Sequence, residues 1–188
     1  MTEERKKILI SYAEWTAIAA IRSGKHIKET KIIQEALREI DLGNIPTTQA
    51  DFDVWHEEQC KLLREKIVSL AAKQERTTKN FELGWAAKIL NIYLKTLFYI
   101  GDMEPSVVRQ FIHPPIDNIF VNAFYKEHKV RVAASDFRIK KLEHYLDYAA
   151  IINSIKAIQK EKKFLNLMDV ENIWGVGTTA DELIDENS

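Results

Sequence analysis

The sequence is poor in the residues that punctuate or staple a chain: one cysteine, four prolines and six glycines in 188 residues. A single cysteine, Cys60, excludes an intramolecular disulfide and fits a reducing compartment. So little Gly and Pro leaves few places for the tight turns of an all-β fold and favours helices. An excess of either charge is missing too. With 27 basic and 28 acidic residues the net charge is −1, so any nucleic-acid contact needs a local basic surface. No apolar run approaches the roughly 18 residues of a membrane span. The N-terminus MTEERKKILISYAEW mixes acids with bases and lacks an apolar core ending in small residues, so it does not read as a signal peptide. These absences point to a soluble cytoplasmic protein with no membrane partner.

What is present is helical periodicity. Ile32, Ile33, Ala36, Leu37 and Ile40 lie along one face of a 3.6-residue repeat, and strand-like alternation is nearly absent. The pattern predicts an all-α domain of about eight helices, over 3–22, 28–41, 49–74, 80–100, 104–112, 115–128, 135–161 and 167–174. Thr47, Thr48 or Asp51 caps the third, which buries Phe52, Trp55, Leu63, Ile67 and Leu70. Pro114 and Pro115 start the sixth with Asp117 in its first turn, and Ile116, Ile119, Phe120, Ala123 and Phe124 form its buried face. Ser135 is the expected cap of the seventh, which buries Leu142, Tyr145, Ala149 and Ile152. Residues 1–177 read as one domain, and 178–188 as an acidic, loosely held tail.

Several motifs have plain structural readings. His56 and Cys60, at i and i+4, share a helix face, but no second pair completes a structural metal site, and no third group orients His56 to activate the thiol. A surface histidine and a half-buried cysteine are expected there, with no metal and no cofactor. GVGTT at 175–179 lacks the GK[ST] ending of a phosphate loop and reads as a helix stop. QKEKKF at 159–164 reads as a solvated helix end.

The segment WAAKILNIYLKT, 85–96, is different. Lys88, Asn91 and Lys95 stand at i, i+3 and i+7 and draw one polar stripe along an apolar cylinder. Such a stripe faces water or lines a site. A lysine on an apolar helix has its ammonium disfavoured by desolvation, the usual route to a nucleophilic amine. Asp117, in a proline-started helix, is the carboxylate that could hold its charge or serve a reaction beside it. Their bland reading is a structural ion pair, or two residues that never meet.

The order of these residues resembles the second half of helix-hairpin-helix DNA glycosylases of the 8-oxoguanine type, over about 81–177. LGWAAKIL, 83–90, is similar to the hairpin exit with Lys88 at the lysine position, and PPIDNIF, 114–120, to the aspartate segment with Asp117 in place. MDVENIWGVG, 168–177, resembles the closing helix of bacterial members. The resemblance implies removal of damaged purine bases from DNA, with Lys88 attacking the anomeric carbon and Asp117 stabilising positive charge or moving a proton. It also implies substrate contacts from Asn91, Lys95 and Asn118, and a phosphate bound by the hairpin backbone at Gly84. It leaves 1–77 without a counterpart. The alternatives are a non-catalytic helical binding or scaffold protein, free to form a homo-oligomer, and a small-molecule pocket lined by Lys88, Asn91, Lys95, Tyr93 and Tyr99.

Overall fold

Helix starts are set by local capping, and in the computed structural model, which describes residues 1–21, 30–74, 81–134 and 137–174, these starts can be read one by one. Thr2 accepts from the Arg5 N–H and opens α1, Glu3–Ala19. Helix α2 runs Thr30–Leu37. Thr48, the middle one of the three expected caps, accepts from the Asp51 N–H and opens α3, Gln49–Lys73. Helix α4 is Leu83–Leu94, and it passes without a break into a wider π-helical turn, Lys95–Ile100. Asp117 caps α5, Asn118–His128, and α6 is Tyr145–Lys162. Short 3-10 turns join these elements, the last being Leu167–Trp174. Among the described residues all regular structure is helical.

One hydrophobic cluster runs through every helix, from Ala13 on α1 to Val170 beyond α6. Helix α4 is its axis, with ten of its twelve residues buried. It packs against α1, α3 and the 3-10 turn Ile139–Lys141. Glu14 ties α1 to α2 from a buried position, taking Gln34 Nε2 at 2.6 Å and Arg38 Nε at 3.0 Å. A buried carboxylate persists only with partners of this kind.

Three expected helices differ. The segment 104–112 holds only a 3-10 turn, Ser106–Gln110, and 167–174 is 3-10 as well. Helix α6 begins at Tyr145, ten positions after 135. The chain ahead of it spends Ile139 and Leu142 on covering the start of α4, so tertiary packing overrides the helical pattern there. Ser135 and the tail from 178 lie outside the described residues. The face of α5 is also rotated: Phe120, Val121 and Phe124 are buried, whereas Ile119 is 58% exposed.

Gly84 makes the closest of these contacts. A Cβ there would stand 2.4 Å from the Ile139 carbonyl oxygen and 2.8 Å from Leu142 Cβ. A backbone carbonyl cannot swing aside as a side chain can. Gly84→Ala is therefore expected to destabilise by about 1–3 kcal/mol through overpacking. Gly43→Ala, whose Cβ would lie 3.5 Å from Asp41, should stay within about 0.5 kcal/mol. Urea unfolding of the two variants checks the contrast.

Candidate functional site

Along α4 the polar stripe divides in two. Lys88 and Lys95 keep partly exposed side chains, and each meets a carboxylate. Lys88 Nζ donates to Asp117 Oδ2 at 2.8 Å, with the two side chains 13% and 25% exposed. The other oxygen of Asp117 accepts from the Phe120 N–H at 2.8 Å, so one carboxylate caps α5 and pairs with the lysine. Lys95 pairs with Glu171, from the turn Leu167–Trp174. Tyr99, in the π turn, donates to Asp169 Oδ1 of the same segment at 2.8 Å. Burial pushes the Glu171 carboxyl up; Lys95 opposes this, and the charge of Asp117 adds to it. The stripe is a row of alternating charge in which the two carboxylates feel each other. Burial and the bond to Asp169 push the Tyr99 hydroxyl up to about 12.

Asn91 leaves this row and points into the core, fully buried. Its Nδ2 donates to the Pro114 carbonyl at 2.9 Å and to Tyr148 Oη at 2.8 Å, and its Oδ1 lies 2.7 Å from His56 Nε2. The polarity of each bond follows from the groups that can only accept. His113 Nε2 faces the Asp53 carboxylate at 3.0 Å and so carries a proton. Its Nδ1 then accepts the Tyr148 O–H at 3.1 Å, and the Tyr148 oxygen accepts from Asn91. The Asn91 carbonyl takes the His56 Nε2–H, and the Tyr145 O–H is shared between His56 Nδ1 at 2.9 Å and the Asp53 main-chain carbonyl at 3.3 Å, which closes the network into a ring. Every member is satisfied with both histidines neutral, the condition under which a buried polar network rigidifies a core.

The electrostatics agree. Burial drives His56 well below the ordinary histidine range, and any charge on His113 drives it further. His113 is lowered by burial in spite of Asp53. Their ring centroids are 4.4 Å apart, so charging both is doubly disfavoured. Burial pushes the Asp53 carboxyl up, but the hydrogen bonds from His113 and from Lys156 at 2.5 Å outweigh it and hold it at about 2. Burial pushes the Tyr145 and Tyr148 hydroxyls well above the ordinary tyrosine range. A cavity of about 300 Å³ between α3 and α6 opens onto Asp53, His113, Tyr145 and Lys156.

The residues singled out from sequence thus separate. Lys88 and Asp117 come together, and Lys95 stands on their side of α4. Both Nδ2 hydrogens of Asn91 are spent and its Oδ1, fully buried, is engaged by His56, which corrects its reading as a substrate contact. The Gly84 N–H is donated to the Leu142 carbonyl at 2.9 Å, so it offers no donor to a phosphate; this too is a correction. Asn118 Oδ1 accepts from Arg138 Nη1 at 3.2 Å, one residue from Asp117. His56, expected at the surface, and Cys60, expected half-buried, are both fully buried, and burial pushes the thiol well above its ordinary range, away from nucleophilic chemistry. Among the described residues no group of three or more His, Cys, Asp or Glu is placed to hold a metal ion. The buried ring was missed, although its signal is in the chain: Asp53 and His56 stand one turn apart on the face that also buries Phe52 and Cys60, and Tyr145 and Tyr148 repeat the spacing on α6.

The sign of the pH response follows. A histidine whose folded pKa lies below its unfolded value binds fewer protons in the folded state, so stability is full above about pH 6.5 and falls as pH drops below it. Each of His56 and His113 contributes a slope of up to about 1.4 kcal/mol per pH unit. Asp53 acts later: its contribution holds above the ordinary carboxyl value of 3.8 and is lost as pH falls towards 2. Urea unfolding between pH 8 and 5.5 is expected to show the histidine window, with a slope reduced by about one proton in His113→Gln.

No protein-family model matches the chain, and no curated protein or solved structure matches it either, so the functional reading rests on these side chains.

Proposed function

We propose that the protein is DNA-glycosylase-like and removes a damaged purine base through Lys88, with Asp117 as its proton partner. The observation that carries this reading is the single contact of 2.8 Å between the Lys88 amine and the Asp117 carboxylate, both partly open to solvent. Asp117 Oδ2 takes the first ammonium proton and frees the lone pair. The amine then bonds to the anomeric carbon, and the glycosidic bond breaks with its electron pair leaving on the base. Opening of the sugar ring yields a protonated Schiff base. The three ammonium protons are then accounted for, one on the imine nitrogen, one on the ring oxygen and one on the departing base.

A local basic surface supports the DNA partner, which the net charge does not. Lys126, Lys129, Arg131, Arg138, Lys140 and Lys141 are exposed, and the sequence 126–141 carries two acids, Glu127 and Asp136, against these six bases. Arg138 brings this segment to Asn118, beside Asp117. Lys73, on α3, is exposed but distant in sequence, and Lys79 lies outside the described residues.

A second reading is favoured by the way Asp117 is spent. Its two oxygens already cap α5 and hold Lys88, as they would in a helical binding or scaffold protein without chemistry. Borohydride trapping separates the two. Incubation with duplexes carrying oxidised or alkylated purines is expected to give a covalent protein–DNA adduct that Lys88→Ala abolishes. Asp117→Asn should slow its formation far more than it weakens binding, since the carboxylate acts in the transition state. A folded wild type that traps nothing across the panel, with variants that only melt earlier, would leave the scaffold reading. Affinity for DNA should fall by about 0.9 log unit per log unit of salt for each phosphate contacted, and less steeply in Arg138→Glu/Lys140→Glu/Lys141→Glu.

A further inference from the structure

The chain from Pro114 to Asp117 runs antiparallel to α4 and is joined to it at two points. Asp117 meets Lys88, and three residues earlier Pro114 meets Asn91, which lies three residues after Lys88. Only Pro115 and Ile116 separate the two points. The ring of Pro115 fixes one of the intervening backbone dihedrals, and Ile116 is buried. A shift of the Pro114 carbonyl therefore passes to Asp117 with little to absorb it. The Pro114 carbonyl is held by an amide whose other bonds go to His56 and Tyr148, on two further helices. Asp117 also caps α5, so its carboxylate cannot follow Lys88 without moving the start of that helix.

We infer that Asn91 is a positioning residue for the Lys88–Asp117 pair: its bond to the Pro114 carbonyl sets the register of the aspartate against the lysine, and His56 and Tyr148 hold the amide in the orientation that makes this bond. The inference rests on the reading of that pair as the reacting site. Asn91 touches no substrate, and its effect is carried through Pro114. The tyrosine on the far side of the ring is not part of this path. Tyr145→Phe removes the bonds of its hydroxyl to His56 and to the Asp53 carbonyl and leaves all three bonds of Asn91 in place.

The test uses the full-length chain and two readouts. The first is reductive alkylation with formaldehyde and cyanoborohydride, the rate at Lys88 being followed by peptide mass spectrometry against Lys61, an exposed lysine on α3. In Asn91→Ser, which cannot reach Pro114, Lys88 is expected to react about tenfold faster because the amine is no longer held in its 2.8 Å contact with Asp117. Lys61 should be unchanged. Tyr145→Phe should leave the Lys88 rate at the wild-type value even where its melting temperature is lower. The second readout is adduct formation with a lesion-containing duplex, expected to fall about 10²-fold in rate constant at Asn91→Ser with little change in KM. If Asn91→Ser does not fold, Asn91→Thr, which keeps more of the side-chain volume, replaces it. A folded variant with wild-type Lys88 reactivity overturns the inference, as does an equal response in Tyr145→Phe. Loss of folding in both Asn91 variants also overturns it, since Asn91 would then be architecture alone. If the wild type forms no adduct with any duplex, the glycosylase-like reading fails, while the alkylation rates still judge the positioning of Asp117.

Discussion

One buried amide joins three parts of this fold. Asn91 sits in the last turn of α4 and bonds α3 through His56, α6 through Tyr148 and the segment before α5 through Pro114. Hydrophobic contacts bring helices together but leave their axial register loosely specified, because apolar surface is non-directional. A fully satisfied amide is directional. Displacing any one of these elements by a turn would strand a buried donor or acceptor, at about 1–3 kcal/mol for each group left unpaired. The protein thereby acquires a fixed relation between α4 and its neighbours that its apolar residues alone would not impose.

The same constraint explains why α4 can be both a core helix and the bearer of a charged row. Its inward face is closed by Asn91 and by apolar residues such as Ile89, Leu90 and Leu94, all at 0% exposure. Lys88 and Lys95 occupy the remaining strip, which the N-terminus of α5 and the turn Leu167–Trp174 approach with carboxylates. Where the π turn begins, Thr96 bonds the Ile92 carbonyl at 2.9 Å and Thr16 on α1 at 2.9 Å, and the Gly101 N–H reaches back to the Thr96 carbonyl. The widened turn carries Tyr99 to Asp169, beyond the reach of the two ion pairs. A charged row is thus laid on a helix ten of whose twelve residues are buried.

Much of the helical architecture was legible in the sequence because it depends on local chemistry. A cap among Thr47, Thr48 and Asp51, of which the structure uses Thr48, and the buried face of Ile32, Ile33, Ala36 and Leu37 follow from short-range spacing alone. The polar stripe on α4 was legible too, but as one feature. That Asn91 turns inward while Lys88 and Lys95 stay at the margin depends on which neighbours lie on each side of the helix, and the partners are 23 to 57 residues away in the chain for Asn91. The late start of α6 and the outward turn of Ile119 have a similar origin, since each reflects the packing of distant segments rather than periodicity.

The sequence by itself determined an all-α fold with no membrane-spanning helix among the described residues, the positions of most helices, and the presence of a lysine and an aspartate on elements suited to meet. These properties follow from composition, periodicity and capping, all of which act over a few residues. Tertiary structure alone decided that the lysine and aspartate are 2.8 Å apart, that Gly84 serves close packing rather than an open backbone, and that two histidines, a tyrosine and an asparagine, all buried, join a half-buried second tyrosine in one neutral network. Those outcomes depend on long-range burial, which determines both what each polar group can reach and how much it costs to leave that group without a partner.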